Sequence, residues 1–415
     1  MIESCDTSIP VVILQSVPWF HHGGLGIART LGRLGVPVYW VHGQHLAPGT
    51  LSRYVGERIV WDADSSDEAL VERLLGLGRR IGRESILVPI DDRGAVFVAD
   101  QAQALRERFL FPEQPAGLAR LLSSKQELHF LCKEAGVPTP EAAFPRSGAD
   151  VVAFVETAVF PVVMKRIASW LPEHQAQESV TIIHSPRELL EEYERVEVPG
   201  EPNVMLQEYI PGGPESVWMF NGYFGHDSEC LAAFTGKKIR QAPPFTGATT
   251  LGICLRNETV EDVTKDFMRK IGYRGIVDMG YRYDQRDGRY KLLDINPRVG
   301  STFRLFVDSN GMDVVRALYL DLTGQAVKRG FLREGRKWIV EQSDLMTSIR
   351  YGRLHRLTIA EWVYSLRGIE EGAWLTQDDP VPLAALCGAS LMKAARQLKN
   401  RTRAALKARK FGRGA

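Results

Sequence analysis

Residues 290–298 read Tyr290-Lys291-Leu292-Leu293-Asp294-Ile295-Asn296-Pro297-Arg298. The run ends a β-strand, and alternation predicts that Leu292, Asp294 and Asn296 share one face. A carboxylate and an amide oxygen two residues apart are hard ligands, suited to Mg²⁺ held together with phosphates. Arg298, just beyond, can meet a phosphate through two parallel N–H donors. Taken alone the string also suits an ordinary strand feeding a turn, so its surroundings decide between the two. The preceding strand, Gly275–Asp284, reaches this one through the turn Asp284–Gly288.

Three segments upstream bear on the choice. Lys165 closes the apolar strand Pro161–Lys165, where an ammonium can reach a nucleotide phosphate. Leu206–Gly212 is a strand running into a glycine turn. Its end can offer backbone groups to an adenine edge, with Glu215 close by for ribose hydroxyls. Lys125 opens a helix capped by Ser123-Ser124 that carries Leu128, Leu131 and Ala135 and stops at Gly136. The order of these segments says more than any one of them.

The first ~115 residues alternate strand and helix, the rhythm of a parallel sheet covered by helices. Val11–Leu14, Val36–Val41 and Ile86–Pro89 are its strands, and Asp67–Arg80 is a helix. His21–Gly26 reads as a glycine loop. Its Gly24-x-Gly26 hints at a dinucleotide fold, but the third glycine position holds Arg29 and no acid ends the second strand. His21, His22, His42 and His45 lack metal-ligand spacing and read as loop histidines, and Asp91-Asp92-Arg93 reads as a structural turn. After Asn203 the chain is strand-rich, with Val204–Tyr209, Ser216–Phe224 and Glu229–Arg240, then the helices Thr259–Gly272 and Met312–Leu322.

The chain has 415 residues, 44% hydrophobic and 25% charged, the balance of a soluble globular protein of two or three domains. No apolar run spans a bilayer and no secretory signal opens the chain, so a cytoplasmic setting is expected. The five cysteines lie far apart and fit a reducing compartment. No nucleophilic serine or cysteine arrangement stands out. The net charge of +2 hides an asymmetry: from Ala389 onward there are nine basic residues and no acid, which leaves 43 basic against 50 acidic in the rest. Such a tail reads as a solvated terminal helix with a capacity for weak contact with an anionic membrane surface, peripheral to its inner face. No specific nucleic acid is implied, and a homodimer is the common assembly for such enzymes.

The pattern resembles the ATP-grasp superfamily, specifically its predicted ATP-dependent carboxylate–amine ligases. The motifs that carry it are Gly23–Arg29, Ser124-Lys125 through Pro140, and above all Tyr290–Arg298. The resemblance implies an α/β and α+β architecture: a parallel-sheet pre-ATP-grasp domain over 1–118, two ATP-grasp lobes over 119–202 and 203–336, and a C-terminal extension over 337–415. It implies that Lys125 and Lys165 hold ATP phosphates, that Gln207, Glu208 and Ile210 bind adenine, and that Glu215 binds ribose. Lys237 is implied on the phosphate side, with Arg240 its companion. Asp294 and Asn296 are implied as ligands of Mg²⁺, for which Mn²⁺ can substitute, and Arg298 as the group meeting the reacting phosphoryl and acyl groups. The implied activity joins a small-molecule carboxylate to an amine through an acyl phosphate. A non-catalytic nucleotide-binding protein is the alternative.

Two features depart from the family pattern. A further metal-binding acid is expected on the preceding strand, where Gly280 stands; Asp278 lies two residues earlier and can substitute. The phosphate-covering loop, expected near Ile167–Ser179, has no glycine.

Overall fold

The computed structural model describes residues 5–16, 22–43, 47–62, 65–167, 180–198 and 200–392. The expected phosphate-covering loop beyond Ile167, His21, His45 and the basic tail from Lys393 lie outside them.

Five strands, β1 (Val11–Gln15), β2 (Val38–His42), β3 (Glu57–Val60), β4 (Ser85–Pro89) and β5 (Phe109–Leu110), form a parallel sheet in the order β3-β2-β1-β4-β5. Val11 to Leu14 are fully buried, as a central strand covered on both faces requires. The expected glycine loop is instead the start of a helix, His22–Gly32, with Gly23, Gly24 and Gly26 buried inside it. A Cβ at Gly24 would collide with Trp40, and one at Gly26 would lie 2.9 Å from the Phe303 and Arg304 side chains. These glycines therefore serve close helix packing, at a cost to the helix of about 0.5–1 kcal/mol each.

A four-stranded antiparallel sheet follows, of β6 (Ala142–Ala143), β7 (Val162–Arg166), β8 (Val180–Ile183) and β9 (Val204–Glu208), ordered β6-β9-β7-β8. Its own core holds Val151, Val162, Ile183, Leu189, Tyr193 and Leu206. Strand β9 belongs in the middle of this sheet, so the division expected at residue 202 falls instead after Glu208.

The largest sheet has seven strands. They are β10 (Val217–Phe224), β11 (Cys230–Ala242), β12 (Ala248–Cys254), β13 (Gly275–Asp284), β14 (Arg289–Asn296), β15 (Lys337–Ile339) and β16 (Ile369–Gly372), ordered β14-β13-β10-β11-β12-β15-β16. Strand alternation sorts its two faces. Trp218, Phe220, Val277, Met279 and Tyr281 pack with Leu128, Cys132 and Phe267 from the helices Lys125–Ala135 and Glu258–Lys270. Met219, Tyr223 and Ile276 look the other way, into a core shared with Val11, Trp40, Phe303, Trp338 and Leu386.

That second core corrects the expected C-terminal extension. Strands β15 and β16 are members of the large sheet, and Arg29 of the first domain forms a buried ion pair with Asp379, Nε to Oδ2 at 2.9 Å. The described part of the C-terminal region is thus built into the body of the molecule.

Candidate active site

The four-stranded and seven-stranded sheets wall a cleft of about 510 Å³. From the smaller sheet it is lined by Lys165, Gln207, Glu208 and Ile210, with Lys125 from the adjoining helix. From the larger sheet it is lined by Asp278, Asp294, Asn296 and Arg298. Apolar side chains of Val163, Ile182 and Met219 fill the wall between these groups.

Local structure explains each placement. Strand β7 is held between β8 and β9, with Lys165 opposite Val180 and Met205, so its side chain is fixed at the cleft and 9% exposed. The Lys125 N–H donates to the Ile167 carbonyl at 3.2 Å, tying the helix Lys125–Ala135 to the end of β7. In the β13–β14 hairpin, Asp278 faces Asn296 and Gly280 faces Asp294 across the ladder. Leu293 is an unpaired bulge between Leu292 and Asp294. The bulge overturns one expectation. Leu292 packs in the core with Ile295, on the face opposite Asp294 and Asn296.

The electrostatics are unbalanced in a directed way. Burial lowers the Lys165 pKa to about 8, with Asp294 pulling it up and Lys125 pushing it further down. Burial also lowers the Lys238 pKa, against the pull of Asp278 and Asp294. Asp278 is shifted upward, first by burial and then by Asp294, although Arg298 and Lys238 oppose the shift. For Arg298 burial works against the charge, yet Asp92, Asp278, Asp294 and Asp91 together raise its pKa. The Arg298 guanidinium donates from Nε to Asp92 at 2.9 Å and from Nη2 to Asn296 Oδ1 at 3.0 Å, and lies 4.0 Å from Asp278.

Three sequence-predicted residues lie elsewhere. Lys237 stands opposite Trp218 in the ladder and places its ammonium 4.5 Å from that ring's centre, on the core-facing side of the sheet. Its neighbour Lys238 takes the cleft-facing position. Arg240 is buried and clamped by Asp344, with Nε and Nη2 at 2.8 and 2.9 Å from the two carboxylate oxygens. Ile239 bulges out of the register beside it. Glu215 is exposed and folds back on the Gly213 N–H at 2.9 Å, and it does not line the cleft. Glu208 contributes to the cleft wall, but its carboxylate is engaged by Lys291 at 2.9 Å and Arg286 at 2.7 Å.

Sequence reasoning missed Lys238 and Asp92. Lys238 sits beside an equally basic residue, so only the packing of Trp218 settles which lysine faces the cleft. Asp92 begins the helix Asp92–Asp100, and Asp91 caps that helix by accepting from the Gly94 N–H at 2.8 Å. The structural-turn reading thus holds for Asp91 alone, because Asp92 reaches Arg298. Among the described residues no three carboxylate, imidazole or thiolate groups cluster as a metal site. Asp278, Asp294 and Asn296 do line one cleft, with the Asn296 amide nitrogen 3.4 Å from Asp278 Oδ2 and its oxygen turned to Arg298, and an Mg²⁺ that keeps several waters and takes phosphate oxygens fits the two carboxylates.

No protein-family model matches the sequence. A D-aspartate ligase of Enterococcus faecium (strain Aus0004) is 26% identical over 284 residues, 65% of this chain and 67% of that protein. The solved structure of an L-amino acid ligase from Bacillus licheniformis is similar with a TM-score of 0.57 and 16% identity, covering 77% of this chain and 75% of that one. The Staphylococcus aureus N5-carboxyaminoimidazole synthetase complexed with ADP gives a TM-score of 0.62 and 14% identity, covering 84% and 87%. The chain has the ATP-grasp fold of these solved structures. The cleft lies between the four-stranded and seven-stranded sheets, and the helix Asp92–Asp100, which follows a strand of the parallel sheet, supplies Arg298 with its Asp92 partner.

Proposed function

We propose that the chain is an ATP-dependent ligase that joins a small-molecule carboxylate to an amine in the cytoplasm. One observation carries this reading: Lys165 and Lys238 converge in a single cleft with Asp278, Asp294, Asn296 and Arg298. Buried lysines with lowered pKa values gain most from a polyphosphate, because its charge restores the proton that burial disfavours. The apolar wall beside Gln207 and Ile210 suits a purine.

In the first step a substrate carboxylate oxygen bonds to the γ-phosphorus of ATP, and the bond from that phosphorus to the β–γ bridging oxygen breaks, releasing ADP. The product is an acyl phosphate, a better electrophile than the carboxylate. The amine nitrogen then bonds to the acyl carbon and loses a proton, and the carbon–oxygen bond to phosphate breaks. Lys165 and Lys238 hold the phosphates, and Arg298 meets the charge that develops on the transferred group. Asp294 and Asn296, with Asp278 beside them, would hold an Mg²⁺, which would supply neutralisation of phosphate charge. Lys237 and Arg240 take no part in this scheme.

The test is ADP release with Mg²⁺ across a panel of carboxylic acids and amines. The D-aspartate and L-amino acid ligases it resembles put amino acids first in that panel. Release that depends on both a carboxylate and an amine is expected. Nucleotide binding with no turnover for any pair would favour a non-catalytic binder.

A further inference from the structure

The helix Glu341–Arg353 is amphipathic in the wrong sense for a soluble protein. It buries Asp344, Thr347, Ser348 and Tyr351 and turns Leu345, Met346 and Ile349 outward, at 48%, 58% and 48% exposure. These three fall within about 100° of arc on the helix, so they form one stripe. The inward polar side is fixed by chemistry already described: Asp344 clamps Arg240 and also accepts from the Trp362 indole at 3.1 Å. The stripe therefore cannot roll inward. The next helix, Ile359–Ser365, buries none of its residues and exposes Ile359, Val363 and Tyr364. Leu354 lies between the two, 53% exposed. Contiguous exposed apolar surface of this kind marks an interaction site.

The charges around it name the partner. Between Leu345 and Arg367 stand four arginines, Arg350, Arg353, Arg356 and Arg367, all exposed, together with His355. The one acid in that stretch, Glu361, is engaged in the capping box with Thr358. Arg367 lies 5.0 Å over the Tyr364 ring, an apolar body with a cationic tip. The Gln342 side chain donates to Ser390 Oγ at 3.1 Å, which roots the C-terminal helix beside this face. That helix exposes Leu391 and Met392 and leads directly into the nine-cation segment. Exposed apolar side chains interspersed with arginines over residues 345–367 are complementary to an anionic bilayer surface. A second copy of the chain fits less well, because a two-fold contact through this face would oppose like charges.

We propose that the face formed by residues 345–367 docks on anionic membrane lipid. The apolar residues enter the headgroup boundary and the arginines meet lipid phosphates. No described helix is long and apolar enough to cross a membrane, so the attachment is peripheral. Phe245, at the rim of the nucleotide cleft, packs edge-on against Tyr351 at 5.2 Å, on the inward side of the helix Glu341–Arg353.

Flotation of the full chain with phosphatidylcholine vesicles, with and without phosphatidylglycerol, tests this. Binding to the anionic vesicles is expected, with at least about a tenfold loss on neutral vesicles and a steep fall with added salt. The double variant Ile349→Glu/Val363→Glu, which keeps the basic segment intact, should lose binding by about tenfold at unchanged ATP affinity and melting temperature. If that variant melts abnormally, Arg350→Gln/Arg353→Gln gives the same comparison from fully exposed positions. Absence of binding to anionic vesicles overturns the proposal. So does wild-type binding by both variants, which would leave the tail acting alone, and so does a dimer seen in sedimentation that the variants dissociate. Vesicle binding is read without turnover, so its failure and failure of the ligase reading are separable.

Discussion

The two ends of the β13–β14 hairpin carry similar residues in opposite states. At the turn end, Asp284 is fully buried and held by Arg286 at 2.6 Å and Lys291 at 2.8 Å, and the same cations also hold Glu208. Its pKa is lowered, chiefly by the Arg286 hydrogen bond. At the strand end, Asp278 is only partly buried, its side chain 19% exposed; its pKa is raised, and the nearest guanidinium nitrogen stands 4.0 Å away. Matched charge closes the first site, which ties β14 to β9 and so joins the two lobes. The second site has charge in excess of local compensation, which on the proposed reading a metal and a polyphosphate would balance. Carboxylates on one hairpin thus differ in how fully the protein itself partners them.

The largest effect should come from Lys165, the cation across the cleft from the open end. Lys165→Ala should weaken ATP binding by at least about a hundredfold and abolish turnover, as read by calorimetry and ADP release. Lys165→Arg should restore little of this, because a planar guanidinium does not fit an ammonium's place. Unchanged nucleotide affinity would remove Lys165 from the phosphate site.

The hairpin ends can be set directly against each other. Asp278→Ala should raise the Mg²⁺ concentration needed for half-maximal activity by about tenfold with little change in stability. Asp284→Ala should leave the Mg²⁺ requirement unchanged but cost about 2 kcal/mol in denaturant unfolding, since it strips a buried partner from Lys291 while Arg286 turns to solvent. The reverse ranking would collapse the distinction.

The adjacent lysines give a similar contrast on β11. Lys238→Ala should weaken ATP affinity by about tenfold. Lys237→Ala should cost about 0.5–1 kcal/mol of stability through its lost contact with Trp218 and leave ATP affinity unchanged.

A pH profile sharpens the picture further. Lys165 titrates near pH 8 in the free protein and must be protonated to meet phosphate. ATP affinity should therefore be steady below that pH and fall as pH rises above it, by up to about tenfold per unit. Binding near pH 8–9 should take up protons, seen as a buffer-dependent heat. No uptake would mean that Lys165 keeps its charge without the nucleotide.

The smallest effect concerns Gly280. A Cβ there meets no atom within 4 Å, and the position faces Asp294. Gly280→Asp should tighten Mg²⁺ binding by about threefold, because a third carboxylate enters open space. An unchanged metal affinity in a folded variant would mean that the metal sits nearer Asp278.

The sequence made the strand end at Asp294–Arg298 legible because its chemistry is local: two oxygen ligands and a guanidinium within five residues. Lys165 was legible for the same reason, at the end of an apolar run. Lys237 was misjudged because Lys238 is as basic, and the choice between them rests on Trp218, a neighbour across the sheet. Arg240 finds its carboxylate 104 residues later, a pairing that periodicity does not encode. The glycines of the first helix read as a loop because close packing against Trp40 and the freedom of a loop demand the same residue. Alternation failed at Leu293, where one bulged residue reverses the face of everything before it.

The pairing of Arg29 with Asp379 spans 350 residues and has a consequence for biosynthesis. Arg29 lies in the helix His22–Gly32, while its carboxylate and two of its carbonyl acceptors, at Ala373 and Trp374, emerge from the ribosome 344–350 residues after it. Until then a guanidinium destined for the interior has no counter-charge, and the sheet that carries the cleft lacks two strands. Vectorial folding from the N-terminus is therefore unable to finish the first domain by itself. Nascent chains stalled before residue 379 should stay protease-sensitive throughout their first hundred residues, and those released beyond it should become resistant as a whole.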